Sequence, residues 1–236
     1  MENTPTHLPL GWHEDGTPIF NRGDFIRTGR PLPPTLSNNA IIYDELILPE
    51  HRHLRPEIKF NLILLKKSTN KFAQTVWLGK SSIDEKTGFT YPRIIQSLDS
   101  TGRILLQRTD SKGIVSDIVI LVMNPLHLAI IPSNYETVLF NLSTQSPSRF
   151  FELNAREEVK NIDHLKSMNG PGYILKSNGD LEVNKNYSEI PIPRFQPGLE
   201  NFKFLQKRPL YEMLTHYPKG FDIFDPPNHS FFLGSF

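Results

Sequence analysis

The sequence predicts an all-β protein, a jelly-roll barrel with one peripheral helix and long N- and C-terminal arms. Three observations predict it. Nine short runs rich in β-branched and aromatic residues recur between residues 40 and 153. Turn-forming sequences separate several of these runs, for example at 99–102 and 110–113. The 20 prolines and 14 glycines keep the runs short, which is typical of a barrel or jelly roll and not of alternating strands and helices.

The chain is expected to form one domain, because no repeat, low-complexity tract or linker divides it. The barrel is predicted over residues 40–183, between an N-terminal arm of residues 1–39 and a C-terminal arm of residues 184–236. Its strands are expected at 40–48, 58–66, 72–79, 92–98, 103–109, 114–123, 127–132, 137–142 and 149–153.

The peripheral helix is predicted over residues 155–168, with Asn154 as N-cap, Glu157 in the first turn and Gly170 just past the end. Apolar residues recur there at three- and four-residue spacing, namely Ala155, Val159, Ile162, Leu165 and Met168. A small hairpin is predicted next, from 172–176 and 180–183. A shorter helical pattern follows at 209–216.

Composition excludes several classes of function. The formal charge of +1, from 26 basic and 25 acidic residues, gives no basic excess for a nucleic acid to bind. Without cysteine, the chain has no disulfides, thiol nucleophiles or cysteine zinc sites. The longest apolar run, 118–123, is too short to cross a bilayer, and the N-terminus does not resemble a signal peptide. We therefore expect a cytoplasmic protein with neither nucleic acid nor membrane as a partner.

No catalytic motif stands out. The G-x-S-x-G elbow, the P-loop and a G-x-G-x-x-G after a strand are all absent. The tightest histidine cluster is His51 and His53, preceded by Glu50. Alternate residues of a strand share a face, so these two imidazoles could reach one metal ion. The polar surroundings favour a solvated loop instead.

From residue 72 onward, short motifs follow one another in the order of a known family. They are Thr75-Val76 with the Gly-Lys turn, Lys86-Thr87-Gly88, Tyr91-Pro92-Arg93, Leu105-Leu106-Gln107, Ile131 through Asn141, Asn184 through Tyr187 with Pro191, and Arg208 through Glu212. This order resembles the cupin-type glucose-6-phosphate isomerases, the metal-dependent enzymes of archaea and bacteria. The resemblance implies a cupin double-stranded β-helix, a homodimer, and interconversion of glucose 6-phosphate and fructose 6-phosphate.

The metal-binding positions depart from the family pattern. The resemblance implies two histidines from Gly-His-x-His, a glutamate and a later histidine as ligands of a divalent metal. Here Gly88 is followed by 89–92, Phe-Thr-Tyr-Pro, Arg93 stands at the glutamate position, and Thr137 stands at the later histidine position. An arginine offers no lone pair and would repel a divalent ion. We therefore expect no metal cofactor, and no catalytic residue is identified.

The resemblance places the substrate-binding site at six residues: Thr75, Thr87, Gly88, Tyr91, Arg93 and Thr137. Thr75 and Thr87 could equally be ordinary strand residues, and Trp77 and Phe140 are expected in a core or an interface.

Two arrangements are open for Arg93, which is expected to point into the barrel with Ile95 and Ser97. It could bind an anion, such as the phosphate of a sugar phosphate, at the barrel mouth. It could instead form an internal ion pair with Asp84 or Glu85.

Three functional hypotheses follow. The first is a divergent member of the isomerase family. The second is a non-catalytic cupin that binds a sugar phosphate or a protein partner. The third is an enzyme that recruits metal ligands from His51, His53 or His127. In the tail, Phe231, Phe232 and Phe236 are expected to pack on an apolar groove of the same chain or of a partner subunit.

Overall fold

The computed structural model describes residues 58–68, 71–86, 88, 90–99, 102–155, 158–200 and Leu210, together with the backbone of four earlier strands. The earlier strands are β1 (Gly11–Trp12), β2 (Pro18–Ile19), β3 (Arg30–Pro31) and β4 (Ala40–Tyr43). Eight strands follow: β5 (Ile58–Leu65), β6 (Gln74–Ser81), β7 (Arg93–Ser97), β8 (Gly102–Thr109), β9 (Val115–Val122), β10 (Leu128–Ile131), β11 (Tyr135–Asn141) and β12 (Ser148–Ala155). The last elements are β13 (Lys160–Asn161), α1 (Asp163–Ser167), β14 (Tyr173–Leu175), β15 (Leu181–Val183) and β16 (Arg194–Pro197).

The eight strands β5–β12 pair as nested hairpins. The first strand pairs with the last, so that β5 pairs with β12, β6 with β11, β7 with β10 and β8 with β9, all antiparallel. This nesting produces two facing sheets, β10-β7-β12-β5 and β6-β11-β8-β9. Strands β4 and β3 extend the first sheet, whereas β13 and β16 extend the second. The arrangement is a jelly roll, as the sequence predicted.

Alternating side chains fill the space between the two sheets. The interior cluster contains apolar residues from all eight strands, and it includes Ile63, Val76, Ile95, Leu106, Val119, Ala129, Leu139 and Phe150. A second apolar cluster covers the outer face of the β6-β11-β8-β9 sheet, beneath α1 and the β14–β15 hairpin. Trp77 and Phe140 belong to this outer cluster, so both pack in a core, as expected.

The predicted helix 155–168 is wrong over its first half. Strand β12 continues through Asn154, which pairs with Arg93, to Ala155, which pairs with Ile58. Val159, expected on the apolar stripe, is 67% exposed. Strand β12 forms hydrogen bonds with both β5 and β7. These bonds outweigh the helical propensity of the segment, which is worth only about a few tenths of a kcal/mol per residue. Only 163–167 are helical, and the helix ends ahead of Gly170, as predicted.

The other described elements match the predicted ones, although their first and last residues differ. All nine predicted strands overlap β4–β12, and the predicted hairpin is β14–β15. Within the predicted C-terminal arm, β16 pairs in parallel with β9, and Leu199 exchanges two 2.8 Å backbone hydrogen bonds with Leu128 of the other sheet. The helical pattern at 209–216, except for buried Leu210, and the tail phenylalanines lie outside the described residues. No helix in the described part is long and apolar enough to span a membrane.

A β-bulge interrupts β6 beside the barrel interior. Thr137 of β11 pairs with Gly79, whereas Val138 pairs with Trp77, so Leu78 is an extra residue. Gly79 has a φ of +66°, and a Cβ there would lie 2.1 Å from the backbone oxygen of Asn161. The bulge therefore needs glycine both for its conformation and for the approach of β13.

Gly79→Ala should destabilise the protein more than Gly88→Ala. Gly88 has a similar φ of +70° but nothing within 4 Å of a Cβ. Both variants incur left-handed backbone strain, and only Gly79→Ala adds the clash with β13, which should cost about 1–3 kcal/mol more. Urea unfolding of the two variants and the wild type measures this difference. Equal losses would show that the approach of β13 is not tight.

Candidate functional site

One end of the barrel interior is charged. Arg93 begins β7 and points inward, on the same face as Ile95 of the interior cluster, as the sequence predicted. Its side chain is completely buried. A guanidinium in such a place needs anionic or carbonyl partners, because burial of an unpaired charge is strongly unfavourable.

Three groups surround the Arg93 guanidinium. Nη2 donates to Glu158 Oε1 at 2.5 Å, Nη1 donates to the carbonyl oxygen of Gly79 at 3.2 Å, and Nε lies 3.2 Å from Glu152 Oε1. Of the two arrangements considered from sequence, the structure therefore contains the internal ion pair. The predicted partners were wrong, since Glu85 is exposed and Asp84 accepts a hydrogen bond from the Tyr91 hydroxyl at 3.0 Å. The bulge at Gly79 supplies the carbonyl oxygen.

The two glutamates bind further donors. Lys160 Nζ lies 2.8 Å from both carboxylate oxygens of Glu152, and Asn61 Nδ2 donates to Glu152 Oε2 at 3.1 Å. Asn154 Nδ2 donates to Glu158 Oε2 at 2.5 Å. We call Arg93, Glu152, Glu158 and Lys160 the charged cluster. It contains two cations and two anions, so its net charge is zero.

The pKa of Glu158 shows how strongly the cluster is coupled. Burial opposes ionisation of this carboxyl group, but Arg93, Lys160 and the Asn154 amide outweigh burial and lower its pKa to about 2. Glu158 is therefore ionised at neutral pH, and its charge is neutralised within the barrel.

Thr137 lies next to this cluster. It pairs with Gly79, is completely buried, and its hydroxyl has no hydrogen-bond partner in the described structure. Arg93 and Thr137, the positions where the resemblance implies a glutamate and a histidine ligand, thus lie on the two sides of Gly79. The fold therefore brings these two predicted site positions together.

The other predicted site residues lie elsewhere. Thr75 alternates with inward-facing Val76 on β6, so it faces away from the interior. Gly88 is exposed in the β6–β7 turn, where its N–H donates to the Asp84 carbonyl oxygen at 2.8 Å. Tyr91 follows that turn, and Thr87 lies outside the described residues. Substrate contact at these residues stays a prediction.

The charged cluster does not fit a divalent metal. Each oxygen of Glu152 and Glu158 already contacts Arg93, Lys160 or an amide, and Arg93 would repel the ion. No three histidine, aspartate or glutamate side chains in the described part of the chain are placed to hold a metal. His127 is buried, with Nε2 3.4 Å from Glu200 Oε1. His51 and His53 lie outside the described residues.

Sequence reasoning missed Glu152, Glu158 and Lys160. A signal was present in the sequence. Glu152 and Asn154 stand two and four residues after the inward-facing Phe150, in a run otherwise rich in buried residues. Polar residues at alternate strand positions share the inward face of a barrel. Interpretation of Asn154 as a helix cap concealed this pattern.

A second buried network lies on the outer face of the β6-β11-β8-β9 sheet. The Glu136 carboxylate accepts hydrogen bonds from Gln107 Nε2 at 2.9 Å and Thr109 Oγ1 at 3.0 Å, and it lies 3.0 Å from His164 Nδ1 of α1. The Tyr187 hydroxyl donates to the Gly170 carbonyl oxygen at 2.9 Å. Burial, and secondarily Glu136, raises the pKa of Tyr187 to about 12, although Gln107 opposes the shift. Gln107 and Tyr187 come from motifs that carry the family resemblance, and here they attach α1 and its following segment to the barrel.

The nested strand pairing and the packed interior define a cupin double-stranded β-helix. The sequence model of the family described as glucose-6-phosphate isomerase (GPI) matches residues 77–192, just under half of the chain. The matched segment extends from β6 to β15 and contains both ligand positions discussed above. This match confirms the resemblance to the cupin-type glucose-6-phosphate isomerases.

No curated protein matches the chain significantly. Among solved structures, a cupin-2 domain from Rhodospirillum rubrum is 9% identical, covering 65% of this chain and 86% of that one, with a TM-score of 0.41. Vicilin from Capsicum annuum is 8% identical over 52% of this chain and 29% of its own, with a TM-score of 0.35. An oxalate decarboxylase variant from Bacillus subtilis is 10% identical over 61% and 32%, also with a TM-score of 0.35. The chain spans about a third of the vicilin and decarboxylase chains.

Removal of one charge from the cluster should destabilise the barrel more than removal of a balanced pair. Arg93→Met and Glu158→Met should each cost about 3–5 kcal/mol, because each leaves an uncompensated buried charge. The double variant keeps the Glu152–Lys160 pair and restores neutrality, so it should cost less than either single variant. Chemical unfolding of the wild type, the two single variants and the double variant measures the coupling.

The control is Arg194→Met, in a half-exposed ion pair, which should cost about 1 kcal/mol or less. Additive losses would contradict coupling in the cluster.

Acid should remove the contribution of Glu158. Because folding lowers its pKa from 4.5 to about 2, the ionised carboxylate stabilises the native state above pH 4.5. This stabilisation is lost as the pH falls from 4.5 towards 2. The difference in unfolding free energy between wild type and Glu158→Gln should therefore shrink over that range, by up to about 3 kcal/mol. A difference that is independent of pH would show that Glu158 is not ionised in the native barrel.

Proposed function

We propose that this protein is a non-catalytic cupin of the glucose-6-phosphate isomerase family, which acts through binding and not through metal-dependent isomerisation. The observation that carries the proposal is the charged cluster at the end of the barrel interior. There Arg93, which stands where the resemblance implies a glutamate ligand, forms ion pairs with the carboxylates of Glu152 and Glu158.

The isomerase chemistry of the family needs an electrophile and a base. A divalent metal polarises the sugar carbonyl, which contributes several kcal/mol to stabilisation of the transition state, roughly. Arg93 is a cation at a corresponding place, but its nitrogens are directed at two carboxylates and one carbonyl oxygen. Both carboxylates form ion pairs with the cations of the cluster, so neither is free to accept a proton from a substrate. The cluster is therefore better suited to hold the two sheets together than to catalyse isomerisation.

A sugar phosphate, a protein partner and a second copy of the chain remain the proposed partners. The sugar phosphate would bind at the β6–β7 turn, which retains the Lys86-Thr87-Gly88 sequence. We expect the protein to be cytoplasmic and homodimeric, and light scattering checks the second expectation.

Isomerase activity should be undetectable in the purified protein. Coupled assays with glucose 6-phosphate and with fructose 6-phosphate should be run without added metal and with Fe²⁺, Mn²⁺, Ni²⁺ or Zn²⁺. A metal-dependent isomerase of the same family serves as the positive control. Elemental analysis should find no stoichiometric transition metal. Metal-dependent turnover, or one tightly held metal ion per chain, would overturn the proposal.

Arg93→Glu should not generate activity with any of these metals. The added carboxylate removes a cation but finds no imidazole among the described interior residues around it. Circular dichroism checks that the variant is folded, and the wild-type assay remains decisive if it is not. Metal-dependent turnover in this single variant would show that the cluster is one substitution away from an active site.

A further inference from the structure

A second arginine, Arg108, lies at the same end of the barrel, and it forms no ion pair with any residue that the structure describes. Arg108 of β8 pairs across the sheet with Tyr135 of β11 and with Asp117 of β9. The next inward-facing row, two residues deeper, contains Thr137 beside Gly79 of the bulge. The row of Arg108, Asp117 and Tyr135 therefore forms the rim above the charged cluster.

Local contacts hold Arg108 in place. Its Nε donates to Ser116 Oγ at 3.1 Å, and its guanidinium carbon lies 5.9 Å from the centroid of the Tyr135 ring. Such stacking orients a guanidinium but uses none of its N–H groups. Within the described structure, no carboxylate forms an ion pair with Arg108, and its two terminal nitrogens form no hydrogen bond. The fork is exposed and positioned to donate.

The acid beside Arg108 is already bound. Asp117 accepts hydrogen bonds from Arg194 Nη2 at 2.8 Å and Nε at 3.3 Å, and from the Tyr135 hydroxyl at 2.5 Å. Burial opposes ionisation of Asp117, but Arg194 and Tyr135 outweigh it and lower its pKa. Among the described residues, Arg108 and Arg194 contribute two positive charges at the rim and Asp117 contributes one negative charge, so one positive charge is left.

We propose that Arg108, supported by Tyr135 and Arg194, forms a binding site for a small oxyanion at the barrel rim. The ligand group is a phosphate or a carboxylate, which a guanidinium fork binds through two parallel N–H donors. The site is distinct from the charged cluster, because Arg93 below it is enclosed and charge-balanced. It is independent of the proposed loss of catalysis.

Calorimetric titration tests the site. Inorganic phosphate, methyl phosphate and acetate are the probes, which separates a free phosphate from a phosphate ester and from a carboxylate. We expect saturable binding of at least one probe in the millimolar range or tighter, weakened by salt. Arg108→Gln should weaken it by about tenfold or more, since hydrogen bonds to charged groups contribute that much.

The matched control is Lys112→Gln. Lys112 is exposed on the β8–β9 turn, and its loss changes the net charge by the same amount without a change in the fork. It should leave affinity within about twofold, because Lys112 is exposed and solvent and salt weaken the interactions of exposed charges. Arg108→Lys keeps the charge but loses the fork, so it should bind more weakly than wild type. The proposal is overturned if no probe shows saturable binding in the millimolar range. It is equally overturned if Arg108→Gln binds as wild type does, or if both glutamine variants lose affinity equally.

Discussion

The ion pairs of Arg93 connect three parts of the barrel. The side chain starts on β7, reaches Glu152 on β12, bonds to the carbonyl of Gly79 on β6 in the opposite sheet, and pairs with Glu158 beyond β12. A buried cation is tolerated only if its partners are fixed in place, so the bulge of β6 and the position of Glu158 both depend on it. Replacement of one partner alone leaves a buried charge, which makes the cluster cooperative.

The charged cluster connects strands from both sheets of the barrel. A metal ion in a barrel joins side chains from several strands, and the charged cluster joins β6, β7 and β12 in the same way. Two cations and two carboxylates keep the charged cluster neutral. The other motif residues, such as Gln107, Asn184 and Tyr187, keep structural roles around α1. These residues of the family motifs therefore hold α1 and its neighbouring segments on the barrel.

Two arginines at the same end of the barrel differ in how far they are buried. Arg93 was expected to be open to an anion, and the structure encloses it with two glutamates. Arg108, one row further out, has no such enclosure and lies over Tyr135. Burial thus assigns the two arginines different roles, although both point towards the same end of the barrel.

The sequence by itself determined the strands, their turns and the inward direction of Arg93, because alternation and turn chemistry are local properties that neighbouring residues encode. It also showed that an arginine and a threonine stand at 93 and 137, where the resemblance implies metal ligands. Only the tertiary structure decided the partners of Arg93, since Glu152 and Glu158 are about sixty residues away and nested pairing brings them close. It also converted the predicted helix start at Ala155 into strand, because ladder hydrogen bonds with β5 and β7 outweigh local propensity.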